Sequence, residues 1–179
     1  RGRDSVTVVP MAEHARIEAP MPNTTEVDRA AIYGVVRRFF SAFVSGPGAA
    51  DGATVLREVL LPGAVVVRTC GDEPQVLGVE DFIRPRIELL AGGELRDFRE
   101  WARSGRMDIF GDIAQVWCRY EKSWFQGAEA SEGRGMKTLQ LVRTSSGWRI
   151  SAIAWDDERP GVSMSAFQPM TETFEGSGS

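Results

Sequence analysis

Moving a proton without a cofactor takes a carboxylate or amine beside a polarising donor in a largely dry space, and a few residues of this sequence could form that pairing. Asp156, close to the end of a strand-like run, is the first candidate base. Tyr120 could donate a hydrogen bond to a developing oxyanion, and Arg86, next to Pro85, could clamp a carboxylate. Tyr33, Trp124, Thr138 and Gln140 are the candidate ligand-binding residues around them, two aromatic walls and two polar contacts. Each has a structural alternative. Asp156, Asp157 and Glu158 form an acidic cluster of the kind that is solvated or paired with arginine. Tyr120 could equally be a core tyrosine with a satisfied hydroxyl, Arg86 a surface ion pair, and Glu121-Lys122 reads as rim charge.

Other chemistries lack parts. His14 is the only histidine and lies in a Pro-rich stretch, so a Ser-His-Asp triad, a Cys-His pair or a histidine metal site cannot be assembled. Cys70 and Cys118 are too few for a four-cysteine zinc site and read as buried apolar fillers. No metal and no cofactor is expected. The net charge of −4 gives no broad basic field for phosphates, which argues against nucleic acid as a partner. Apolar runs such as Val65-Val66-Val67 are far short of the roughly 18 to 20 residues that cross a bilayer, so no membrane partner and a cytoplasmic location are expected.

The elements that must position these residues follow from periodicity. Positions 1–23 carry Pro10, Pro20 and Pro22, begin without Met and read as a disordered, processed or truncated leader. From Thr24 a helix is predicted, capped by Thr25, with Val27, Ala31, Val35, Phe39 and Phe43 at four-residue steps and Gly46-Pro47 as its stop. Asp51 to Leu60 repeats the device before Pro62-Gly63. A short strand over Ala64 to Cys70 and a turn at 71–74 precede a helix over Glu80 to Ala91, kinked or split by Pro85. Long strands over 95–110 and 113–125, a polar loop over 127–135, and strands over 136–143 and 148–157 complete the pattern, with 159–179 as a tail. One domain over 24–158 is the reading, of α+β class.

If Ser145, Ser146 and Gly147 form a three-residue hairpin loop, Thr144 pairs with Trp148. Met136, Thr138, Gln140 and Val142 then share the inward face with Ile150, Ala152, Ala154 and Asp156. The opposite face, led by Trp117, Leu139, Leu141, Ile153 and Trp155, is also apolar and asks for its own cover. A homodimer through this outer face is expected, the alternative being a tail folded back through Phe167 and Phe174. Gly133-Arg134-Gly135 reads as a strand-entry bulge rather than a phosphate cradle.

This order of elements, with Phe110-Gly111-Asp112-Ile113-Ala114 and Gly147-Trp148-Arg149-Ile150, resembles the nuclear transport factor 2-like superfamily over roughly 24–158. Among its members are SnoaL-like polyketide cyclases, ketosteroid isomerases, scytalone dehydratases and limonene epoxide hydrolases. Phe82-Ile83-Arg84-Pro85-Arg86, Gly133-Arg134-Gly135-Met136-Lys137 and Ala154-Trp155-Asp156-Asp157-Glu158 are similar to an uncharacterised bacterial branch. The resemblance implies a cone-shaped, cystatin-like α+β barrel, a deep pocket and frequent dimers. It also implies a histidine or carboxylate projecting from the last strand, where this chain has Ala154 at the matching inward position. A small-molecule pocket protein for a mostly apolar compound is the functional expectation, acting as a cofactor-independent isomerase, dehydratase, cyclase or hydrolase. The alternatives are a non-catalytic binding or sensing module and a dimeric interaction domain.

Overall fold

The computed structural model describes residues 24–71 and 73–166. The predicted leader, and Phe167 and Phe174 with the tail they belong to, lie outside that range. The first helix, α1, spans Thr24–Ser41 and turns Asp28, Ile32, Val36, Phe39 and Phe40 inward, with Phe43 continuing the stripe just past its end. The predicted stripe starts one residue off, and Val27 is 64% exposed. On a helix of 3.6 residues per turn, strict four-residue steps drift by about 40° each, so such a line leaves the buried face. Thr25 lies within the first turn rather than before it.

α2 (Ala49–Val59) buries Ala49, Leu56 and Val59 and runs directly into β1 (Leu60–Arg68). Pro62-Gly63, predicted as a stop, sits inside β1 where the pairing to the last strand shifts between Leu60 and Val65. β2 (Gln75–Leu77) is a short antiparallel edge strand just past the predicted turn. α3 (Val79–Ala91) passes through Pro85 as one helix, burying Phe82, Ile83 and Leu90 while Pro85 itself is exposed. Four long strands follow: β3 (Leu95–Phe110), β4 (Ile113–Gln126), β5 (Glu129–Thr144) and β6 (Gly147–Asp157). Most of the predicted loop over 127–135 is therefore strand, paired to β4 from Gln126↔Glu129 onward.

The curved sheet has the order β2-β1-β6-β5-β4-β3 and stays open between its outermost strands. Only β1 and β6 run parallel; the other neighbours are antiparallel. α1 packs on β3 and β6, and α2 and α3 pack on β1, so the helices share one face of the sheet. Phe39, Phe43, Phe82 and Trp155 join the two layers edge to face, with centroids 5.0, 6.2 and 5.9 Å apart in turn. No helix among the described residues is long and apolar enough to cross a membrane.

The hairpin corrects the predicted faces. Its loop is the two residues Ser145-Ser146, so Thr144 pairs with Gly147 and Arg143 with Trp148. The extra residue is absorbed later, between Leu141↔Ile150 and Gln140↔Ala152, which leaves Ser151 unpaired as a β-bulge. A bulge switches the side on which later residues point. Trp148 and Ile150 face the helices, and beyond the bulge so do Ile153, Trp155 and Asp157 rather than Ala152, Ala154 and Asp156. Leu139, Leu141, Ile153 and Trp155, predicted for a dimer surface, are at most 7% exposed and form the core. The outer face instead carries Ile113, Trp117, Thr138, Gln140, Val142 and Asp156.

Candidate functional site

Where β3, β4, β5 and β6 present one face to α1 and α3, a cavity of about 130 Å³ remains. Phe39, Phe43, Phe82 and Trp155 supply apolar wall, and Arg68, Arg86, Glu100, Tyr120, Lys122, Lys137 and Asp157 also line it. The mostly apolar lining that was predicted is thus replaced by a strongly charged one. The polar groups arrive by strand alternation: Tyr120 and Lys122 are two apart on β4, Glu100 faces Lys122 from β3, and Asp157 ends β6.

Two clusters organise the charge. Lys137 is 4% exposed, and its Nζ lies 2.8 Å from Glu100 Oε1, with both side chains 6% exposed. The same Nζ sits 3.6 Å from the Tyr120 ring centroid and 5.1 Å from that of Trp155, an aromatic cage for a cation. The Lys137–Glu100 contact is close but poorly directed, leaving Glu100 Oε1 a buried acceptor without a well-formed hydrogen bond. Burial pushes the Lys137 ammonium below the usual lysine range, against the opposing pull of Glu100.

Asp157 is the hub of the second cluster. It accepts from the Tyr120 hydroxyl, from Lys122 Nζ at 2.9 Å on both oxygens, and from Cys70 Sγ at 3.5 Å. Burial alone would raise its carboxyl, but the Tyr120 hydroxyl and Lys122 outweigh that and hold it below the usual carboxylate range. Tyr120 is driven far up by burial and then by Asp157, so it stays a protonated donor. Cys118 is the predicted buried filler, its thiol pushed up to about 11 by burial, whereas Cys70 is only half-buried and belongs to this cluster.

Two glycines of the Gly133-Arg134-Gly135 motif make room for the cluster. Gly135 pairs with Tyr120 and Gly133 with Lys122 across β4 and β5. A Cβ on Gly135 would overlap the Asp156 carbonyl oxygen and stand 2.7 Å from the Tyr120 hydroxyl; one on Gly133 would stand 2.7 Å from Lys122 Cε. The motif lies inside β5 rather than at a strand-entry bulge, and it gives Tyr120 and Lys122 a floor to lie across.

Of the candidate residues, the structure brings Tyr120 and Arg86 to the cavity. Asp156 does not reach it: the bulge turns it outward, where it pairs with Arg159 beside Met136 and Val162. Thr138 and Gln140, paired with Ala154 and Ala152 and alternating with the buried Leu139 and Leu141, lie on the outer face with it. Tyr33 is 57% exposed on α1, and Trp124 packs on Phe98 at 6.2 Å between centroids. Glu100, Lys122, Lys137 and Asp157 were passed over as site residues, although a lysine in phase with Leu139 and Leu141 signals an ionisable group inside the core. No group of three or more metal-ligating side chains occurs among the described residues.

No family model and no curated protein matches the chain. Solved structures do. The Kfla4162 protein of Kribbella flavida superposes with a TM-score of 0.64 at 17% identity, covering 75% of this chain and 93% of that one. A nuclear transport factor 2-like superfamily protein from Salmonella enterica serovar Typhimurium gives 0.62 at 13% identity, over 84% and 99% of the two chains. The fold is that of the nuclear transport factor 2-like proteins. A further nuclear transport factor 2-like protein, from Novosphingobium aromaticivorans and described as having a cystatin-like fold, gives 0.60 at 15% identity over 75% and 84%. Likeness at this identity fixes the nuclear transport factor 2-like fold and leaves the chemistry to the cavity.

Removing the Tyr120 hydroxyl tests the second cluster. Asp157, depressed in the folded state, stabilises above the unfolded carboxylate pKa of about 3.9, and that contribution fades as pH falls through its lower folded value. Tyr120→Phe takes away one of the donors that depress it. The variant is expected to lose about 1.5–3 kcal/mol at neutral pH and to unfold in acid at a higher pH than the parent. Urea titrations between pH 2 and 7 read both; superimposable acid limbs would show that the hydroxyl does not bond Asp157 in solution.

Proposed function

We propose that this protein receives a small organic molecule in the cavity between sheet and helices, with Tyr120, Lys137, Glu100 and Arg86 as its polar contacts. The observation that carries the reading is the buried Lys137–Glu100 pair at the cavity wall. Burying two ions costs several kcal/mol that well-packed apolar side chains would not, and such expenditure concentrates at functional sites. A thermal-shift screen of organic compounds at millimolar concentration tests it. Compounds that raise the melting temperature of the parent by several degrees, and that of the variant Phe43→Trp much less, are expected, since the larger ring fills the cavity. Stabilisation equal in both would place binding elsewhere.

A catalytic reading of the same cavity is favoured by the state of its groups. Glu100 Oε1, a buried acceptor without a well-formed hydrogen bond, is the group placed to accept a proton, and Tyr120, held protonated, is the donor suited to an oxyanion. Isomerisation and dehydration both use that pair. Asp157, held low and saturated by its donors, is a poor base, and Asp156 stands outside the cavity. Asp156→Asn is therefore expected to leave ligand binding, and any turnover found, within twofold of the parent; a larger loss would return Asp156 to the site.

A homodimer through the outer sheet face is part of the proposal, keeping Trp117 of the face first expected and replacing the others with Phe110 and Ile113. Phe110 is 83% exposed and Ile113 58%, paired across the β3–β4 turn, and Trp117, 39% exposed, lies further along β4 on the same face. Sedimentation of the parent is expected to give twice the chain mass, and that of Ile113→Asp the mass of one chain. A monomeric parent would remove the dimer.

A further inference from the structure

Resting on the reading that the cavity holds a small molecule, we infer that its occupant is a short-chain hydroxy acid, with its carboxylate on Arg86 and its hydroxyl donating to Glu100 Oε1.

The charges narrow the class first. Apart from Arg68, which has a partner of its own, Arg86, Lys122 and Lys137 bring three positive charges to the wall against two negative ones from Glu100 and Asp157, in a chain whose own net charge is −4. A cationic guest would meet that excess. Lys122 is matched by Asp157 and Lys137 by Glu100, but Arg86 pairs with no carboxylate among the described residues. Its guanidinium lies over the Phe82 ring, 5.9 Å from Cζ to the centroid. A planar, half-buried guanidinium left open toward a cavity matches a carboxylate through two parallel hydrogen bonds.

Glu100 supplies the second constraint. Its Oε1 is a buried acceptor, more than nine-tenths enclosed, on the same cavity wall and short of a well-directed donor. An occupant carrying a hydroxyl satisfies it. A phosphate or sulfate dianion would set acceptor oxygens against acceptor oxygens there.

Size and apolar wall complete the class. An apolar cavity of about 150 Å³ holds one benzene, so about 130 Å³ suits some five or six non-hydrogen atoms. Between the acid and the hydroxyl there is room for about one or two carbons, which Phe39, Phe43, Phe82 and Trp155 would cover.

Isothermal titration of the parent and of Arg86→Gln with five probes tests the assignment: hydroxypropionate as its 2- and 3-isomers, propionate, hydroxypropionamide and propanediol. Proton–nitrogen NMR of the Trp155 indole reports whether each enters the cavity. In the parent, one hydroxypropionate isomer is expected to bind about tenfold or more tighter than its amide and several-fold tighter than propionate. In Arg86→Gln the preference for acid over amide should fall to about one, with the fold intact because Arg86 holds no ion pair to lose. If amide or diol binds as well as the acid, or the preference survives in Arg86→Gln, the hydroxy-acid class is wrong while the cavity still binds. If no probe binds and the Trp155 signal never moves, the class falls here; a blank in the broader compound screen as well would overturn the reading on which it rests.

Discussion

Lys137→Met should be the most damaging single change in this chain, lowering stability by about 3–5 kcal/mol. The loss is not that of an attraction alone. Methionine fills the space between Tyr120 and Trp155, but Glu100, whose side chain is 6% exposed, is left as a buried carboxylate with no cation against it. At about 2–4 °C per kcal/mol for a chain of this size, the melting temperature should drop by roughly 6–20 °C. Pairing the change with Glu100→Leu removes the orphaned charge, and the double variant is expected to recover most of the loss. Calorimetry of the parent, both singles and the double decides it. A Lys137→Met single as stable as the parent would mean that the pair is solvated in solution.

Gly135→Ala is the second large effect, expected to cost about 1–3 kcal/mol or more. One methyl would have to occupy space held by the Asp156 carbonyl oxygen, which belongs to the sheet ladder and cannot swing aside, and by the Tyr120 hydroxyl. Tyr120 would be lifted from Asp157, so the variant should also share the acid sensitivity of Tyr120→Phe. Gly133→Ala is the control: its methyl meets the methylene chain of Lys122, which has other rotamers, and the cost should be well under half as large. Equal costs for the two would show that backbone strain in β5, rather than the cluster, sets the requirement.

The architecture was legible in the sequence because its signals are local. β-Branched and aromatic runs, the Gly111-Asp112 turn and the Gly46-Pro47 stop placed most helix and strand ends within a few residues, although β5 begins at Glu129 rather than Met136 and Pro62-Gly63 lies inside β1. The interior was not, for one reason repeated in several places. Whether a strand residue faces in or out depends on counting, and a single unpaired residue changes every later count. Tyr120 lies on β4 among Ala114, Val116 and Cys118, where the alternation is unbroken, and its inward placement follows directly. Asp156 lies beyond the Ser151 bulge, and its neighbour Asp157 took the position instead. The bulge has no glycine to mark it, as nothing in Ile150-Ser151-Ala152 departs from ordinary strand composition. The paired glycines facing Tyr120 and Lys122 were the overlooked clue, since glycine on alternate residues of a strand signals crossing side chains.

The strand order carries a consequence for how the chain reaches this state. β6, the last strand among the described residues, lies between β1 and β5, and the Thr69 amide bonds the Trp155 carbonyl at 3.2 Å across 86 positions of sequence. Before that strand docks, β1 has only β2 beside it and the β3–β4–β5 meander ends in an unpaired edge. Such long-range closure belongs to the slow end of folding, on the order of milliseconds to seconds, and the nascent intermediate shows open edges and a bare greasy surface to its neighbours. Damage near the carboxyl end of this sequence should therefore be felt first as precipitation during expression, before any defect in the finished molecule can be measured.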